Sequence, residues 1–171
     1  MPSVIGTTMK NLTFAFLILV TGLISACGAN NDYAYNEKIT NVFLGQMKEI
    51  DETDSVFKDT TKIFAADFAD SIILSTKAQN LISNSNIALS DVAALKPGKA
   101  AAKFNEGIVQ YLKLINDYGL TAKKMLETKP VEEQKKLHAQ LMLKYAQLNV
   151  YPDRLLEMQK IYLNEVGLQP K

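Results

Sequence analysis

The chain has 171 residues, 47% of them hydrophobic and 22% charged, with 8 Gly and 5 Pro, a composition that excludes collagen-like, low-complexity and disordered classes. Lys10 is the only charge before Cys27, so the remainder carries 18 basic and 18 acidic side chains and lacks the basic excess of a nucleic-acid binder. Arg154 is the only arginine, His138 the only histidine and Cys27 the only cysteine. These counts argue against guanidinium-based phosphate recognition, an intramolecular disulfide and a CxxC-type zinc site.

Residues 12–26, LTFAFLILVTGLISA, form an apolar run without a charge. It is shorter than the roughly 20 residues that cross a bilayer as a helix. A preceding lysine, an apolar centre and a small-residue end instead match a secretory signal. Met9 places Lys10 directly in the charged leader and is read as the start. The run closes on Ile24-Ser25-Ala26-Cys27, which resembles a bacterial lipobox: an aliphatic residue, two small residues and cysteine. The resemblance implies cleavage between Ala26 and Cys27, an S-diacylglyceryl group on the Cys27 thiol and an acyl group on its freed amine. It also implies a lipid membrane as partner. With Gly28 rather than aspartate next, it implies outer-membrane sorting in a Gram-negative envelope. Residues 27–32 are then a short tether and 33–171 the folded domain.

From Asp32 onward the hydrophobic period is helical and no stretch alternates with period two. A first helix is expected over about 33–55, with Asp32 as N-cap and Tyr35, Ile39, Val42, Phe43, Ile50 and Phe57 on its apolar face. A second begins near residue 59, capped by Asp59 or Thr60, with Phe64, Phe68, Ile72, Ser75, Gln79 and Ile82 on one face. The SNSN cluster at 83–86 is a breaker by composition, and Pro97-Gly98 is a stop. Whether residues 33–95 make two helices or one bent helix is open at this point. The third helix, about 99–127, places Phe104, Ile108, Tyr111, Ile115, Tyr118, Ala122 and Met125 at alternating steps of four and three, a heptad seam. Pro130, Glu132 and Glu133 open a fourth, which Tyr151-Pro152 should kink or break. Leu137, Leu141, Tyr145, Leu148, Leu155, Met158 and Tyr162 continue nearly in phase toward Gly167.

The expected architecture is all-α, an antiparallel up-down four-helix bundle with the fourth helix kinked near Pro152. Residues 47–70 hold seven acidic and three basic side chains and residues 96–129 the reverse, which favours the third helix beside the first two.

Few residues suggest chemistry. Met47 and His138 stand roughly where bundle haem ligands stand, but a packing methionine and an interfacial histidine explain them better. Glu49, Asp51, Glu52 and Asp54 lack the glycine and twelfth-position glutamate of an EF-hand and read as a solvated helix end. Asp67 and Asp70 share a polar face without an acid–base partner. Tyr111, Tyr118, Tyr145 and Tyr162 read as core rings with hydroxyls at the rim. Gly45, Gly107 and Gly119 lie within helical pattern and permit close helix approach, without forming a phosphate loop. No catalytic, metal or cofactor-binding residue is assigned, and no cofactor is expected. Together with AYNEKI at 34–39, the lipobox, short linker and long helices resemble uncharacterised helical surface lipoproteins of bacteria, whose biochemical role is unknown. The expected function is a non-enzymatic envelope interaction or scaffold protein with a membrane-proximal protein partner. The alternative is a binding protein that holds a small apolar ligand or cofactor between its helices.

Overall fold

The computed structural model describes residues 29–64 and 68–168, and its regular structure is entirely helical. Five helices follow in chain order: α1 Ala29–Phe57, α2 Thr60–Phe64, α3 Phe68–Ala94, α4 Ala102–Glu127 and α5 Val131–Glu165. The signal segment, Ala26, Cys27 and Asp67 lie outside the described residues.

Helix α1 is already helical at Ala29, so Asp32 sits within the first turn rather than at the N-cap. Its carboxylate still suits the positive end of the helix dipole. Phe57 ends α1, and the Asp59 carboxylate accepts from the Thr61 and Lys62 backbone N–H groups at 3.1 and 3.4 Å, capping the single turn of α2. The chain between 33 and 95 is therefore neither two helices nor one bent helix, since α2 stands between α1 and α3.

The SNSN cluster does not interrupt α3. Ser85 Oγ donates to the Ile82 carbonyl at 3.1 Å within the helix, and the cluster's polar groups also find tertiary partners. From α4, Asn116 Nδ2 donates to the Ile82 carbonyl at 3.2 Å, to Ser85 Oγ at 2.9 Å and to Asn86 Oδ1 at 3.2 Å. Toward α1, Asn84 Nδ2 donates to Glu49 Oε1 at 2.8 Å. The breaker by composition is thus where α3 is fastened on two sides.

The turn after α3 carries Pro97-Gly98, and α4 presents its whole predicted seam to the interior, from Phe104 to Met125. Pro130 precedes α5, its carbonyl accepting from the Glu133 and Gln134 N–H groups at 3.0 Å. Pro152 lies inside α5 without ending it. Its missing N–H leaves the Leu148 carbonyl without the usual partner one turn on. At the far end Gly167 adopts φ +71°, and the Leu168 N–H reaches back to the Leu163 carbonyl at 2.8 Å. That bond is the six-to-one closure of a Schellman motif, and it turns Leu168 into the core.

Helix α5 runs in the opposite chain direction to α1 and to α4. On α1 and α5, Asp32 meets Tyr162, Thr40 meets Gln159, and Phe57 meets His138. On α4 and α5, Gln110 meets Tyr151, Asp117 meets Lys144, and Tyr118 stacks with Tyr145. The interior between α1, α4 and α5 is built as three aromatic layers, each taking one ring from each helix. Tyr35, Phe104 and Tyr162 form one, with centroids 6.0 Å apart. Phe43, Tyr111 and Tyr151 form the next at 5.2 and 5.7 Å, and Phe57, Tyr118 and Tyr145 the last at 6.3 Å. The seven-residue steps between Phe104, Tyr111 and Tyr118 set the repeat of the layers. Helix α3 supplies smaller groups (Leu74, Ala78, Leu81, Ala88, Val92) and closes on Gly119.

Helix α4 stands beside α3 and α1, as the opposite charges of residues 47–70 and 96–129 favour. Lys77 pairs with Glu52 at 3.8 Å and Lys144 with Asp117, both crossing between helices, and neither joins the two blocks. Exposed pairs of this kind are worth little, so the aromatic layers and not the charges hold α4 beside α1.

Candidate functional site

On α1 the apolar residues Phe43, Met47, Ile50 and Phe57 step by four, three and seven, and Asp54 occupies the position that divides the last step. The helix period therefore carries a carboxylate into the interior between α1, α4 and α5, where Asp54 is 1% exposed. Lys58, one turn later, reaches back with Nζ 2.5 Å from Asp54 Oδ2 and also lies 4.3 Å over the Tyr145 ring. Asp54 Oδ1 and the Tyr118 hydroxyl are both enclosed without a hydrogen-bond partner. They stand close enough to perturb each other's ionisation while falling short of hydrogen-bond geometry. Asp51, three residues earlier, is half-buried, and its Oδ1 is likewise enclosed and unpaired.

Loss of water dominates the electrostatics. Burial pushes the Asp51 carboxyl up to about 6, and the neighbouring Asp54 charge adds to this while Lys58 opposes it. Burial also raises Asp54, against the Lys58 ammonium and its hydrogen bond. The Tyr118 and Tyr145 phenols are raised by burial first and by the Asp54 charge next. The cluster is thus a place where burial disfavours the ionised carboxylates. It has no nucleophile paired with a base. Among the described residues no group of three or more His, Cys, Asp or Glu side chains could hold a metal ion.

The acidic string therefore divides into two pairs and is not simply a solvated helix end. Glu49 and Glu52 face outward to Asn84, Lys48 and Lys77, whereas Asp51 and Asp54 turn inward. The signal available in the sequence was the seam position of Asp54; what hid it was reading four acids within six residues as one surface.

The other candidates are placed apart. Met47 is buried in α1, and His138 on α5 meets the Phe57 carbonyl at 3.0 Å, ten residues and about 15 Å along α1 from Met47. A carbonyl only accepts, so His138 Nε2 carries the proton there, and the Phe64 ring packs edge-on against it. The two do not converge on one ligand. Asp70 lies in the first turn of α3. Gly107 and Gly119 sit at close helix approaches, but Gly45 has nothing within 4 Å of where a Cβ would stand and makes no such approach.

A second buried polar group was not visible in the sequence. Gln159 on α5, fully enclosed, donates through Nε2 to Asn36 Oδ1 at 2.8 Å and Thr40 Oγ1 at 3.0 Å on α1. Tyr162 beside it donates to the Asp32 carbonyl at 2.8 Å. These bonds fix the register of α5 on α1.

No family model matches this chain, and neither a curated protein nor a solved structure matches it. The clefts are shallow and lie elsewhere: about 440 Å³ beside Ile63, Phe64, Leu74, Leu126 and Gln134, and about 370 and 280 Å³ along the groove between α1 and α3. No tyrosine lines any of these three. Tyr111, Tyr118, Tyr145 and Tyr162 are core rings, as expected, and meet other rings. The Tyr162 hydroxyl reaches the Asp32 carbonyl at 2.8 Å, and outside that set Tyr35 donates to Asn105 at 2.9 Å and Tyr151 to Gln110 at 2.7 Å. Tyr118, whose hydroxyl is enclosed, departs from that pattern.

Proposed function

We propose that the chain is a bacterial lipoprotein. In this reading residues 1–26 are removed and Cys27 carries S-diacylglycerol and an N-acyl group. The domain is then an antiparallel up-down four-helix bundle of α1, α3, α4 and α5, held in the cell envelope, at the outer membrane in a Gram-negative cell. Its role is interaction or scaffolding with a membrane-proximal protein partner rather than catalysis. The observation that carries this is the sequence Ile24-Ser25-Ala26-Cys27 closing the apolar run 12–26, two residues before the described chain begins at Ala29. No helix among the described residues is long and apolar enough to cross a membrane, so attachment in this reading falls to the acyl chains. One chain binds a bilayer only marginally, and two or three hold essentially permanently.

The aromatic layers favour an interaction role over the apolar-ligand alternative, because the three helices that would enclose a ligand fill the shared space with their own rings. The test is the intact mass of the protein extracted from its own membrane. A chain beginning at Cys27 with acyl mass is expected, and Cys27→Ser should abolish both the mass and the membrane attachment. An unmodified chain retaining residues 1–26 refutes the reading. Native mass spectrometry of the same sample separates the two roles, since a small ligand lost on denaturation would favour the carrier and a second polypeptide the scaffold.

A further inference from the structure

The start of α1 is tied to two other parts of the chain. An added Cβ on Gly98, in the turn between α3 and α4, would lie 3.3 Å from Asp32 Oδ1. Tyr162, near the end of α5, donates to the Asp32 carbonyl at 2.8 Å. The α1 start, the 95–101 turn and the end of α5 therefore form one end of the domain. Ala29 is two residues from Cys27, a reach of about 7 Å at most.

The turn at this end is basic. From Val92 to Asn105 the sequence holds Lys96, Lys99 and Lys103 and no acidic side chain. All three lysines are exposed, and none has an ion-pair or hydrogen-bond partner among the described residues. The opposite end, about 38 Å away along the 26 residues of α4, is also rich in lysine. There Lys58 pairs with Asp54, Lys123 with Glu127, Lys135 with Glu132 and Lys136 with Glu133, while Lys62, Lys124 and Lys129 have no ion-pair partner among the described residues, so nearness to Cys27 is what sets the 96–103 turn apart. Asp91 and Glu106 flank the 92–105 stretch, and Asp32 and Glu165 also belong to the near end, so its positive character is confined to the 96–103 turn.

We infer that Lys96, Lys99 and Lys103 form a docking surface for the phosphate head groups of an anionic bilayer, which fixes how the domain stands on the membrane that anchors it. The inference rests on acylation of Cys27, which brings this end to the lipid. A lysine at an anionic surface gains about 1 kcal/mol, equivalent to a roughly fivefold preference for the bound position, and the gain fades within a Debye length.

The test uses the acylated full chain reconstituted into vesicles of phosphatidylcholine alone and of phosphatidylcholine with phosphatidylglycerol. An amine-reactive reagent is applied briefly, and each lysine's labelling is read by peptide mass. In the anionic vesicles Lys96, Lys99 and Lys103 should label about fivefold more slowly than in the neutral ones. The difference should vanish at high salt, while Lys124 and Lys129 at the far end stay unchanged. Acyl mass on Cys27 with equal labelling of the three lysines in both vesicles would overturn the inference and leave the lipoprotein reading intact. Protection of Lys124 and Lys129 in their place would overturn it as well. A chain without acyl mass would overturn both.

Discussion

Replacing Gly45 and Gly119 by alanine, one at a time, should move stability in opposite directions although both glycines lie inside helices. The intrinsic gain is the same at each site, about 1 kcal/mol for alanine over glycine in a helix interior. At Gly45, exposed on α1, a new Cβ meets nothing within 4 Å, so Gly45→Ala should stabilise by about that full amount. At Gly119 the Cβ would lie 3.0 Å from Ile82 Cγ1, 3.2 Å from Leu81 Cβ and 3.3 Å from the Ala78 carbonyl oxygen. Two of these three atoms belong to or adjoin the α3 backbone and cannot swing aside, so α3 itself must retreat by a few tenths of an ångström. Overpacking of this kind costs roughly 1–3 kcal/mol. Set against the helix gain it leaves Gly119→Ala between neutral and about 2 kcal/mol destabilised. The two variants should thus differ by roughly 1–3 kcal/mol, each kcal/mol being worth about 2–4 °C in Tm for a chain of this size. Urea unfolding of both variants and the parent, with unchanged m-values, measures the difference. Equal stabilisation by both would refute the close approach of α3 to α4 at Gly119.

Two further predictions concern the interior polar groups. Because the folded-state pKa of Asp51 is raised to about 6 from 3.8, the native state binds more protons than the unfolded chain between those values. Stability should therefore fall as pH rises through that window and be lowest above it. A shift of this size corresponds to about 3 kcal/mol at most, reduced to about 1–2 because Asp51 is partly exposed. Denaturant titrations across the window should show the slope in the parent and a much smaller one in Asp51→Asn; an unchanged slope would mean that other groups cause it. Tyr118→Phe, which removes an enclosed hydroxyl lacking a hydrogen bond, should cost less than about 0.5 kcal/mol or stabilise. Tyr162→Phe, which removes the bond to Asp32, should cost about 1 kcal/mol by the same measurement, and the reverse order would refute the assignment.

The helical segments and the α4 seam were legible because amphipathic period is a local property. Phe104, Tyr111 and Tyr118 point inward for the same reason that they stand seven apart. Punctuation was legible where it acts through the backbone, at Asp59, Pro97-Gly98 and Pro130. It misled at SNSN, where the outcome depended on Asn116 arriving from another helix with a donor for Ile82 and Ser85. At Pro152 the expected continuation of the fourth helix holds, because one lost N–H is not enough to end a helix packed along its length against α1 and α4.

The sequence by itself determined the helical class, the inward face of α4 and the resemblance of residues 24–27 to a lipid-attachment signal, since each depends on residues close together in the chain. Only the tertiary structure decided which ring meets which, that Asp54 is an interior carboxylate held by Lys58 rather than a surface one, and that Gly119 is a contact while Gly45 is not. Burial and close approach are set by partners tens of residues away. The same local pattern is compatible with a solvated acid or a desolvated one until the opposing helix is in place.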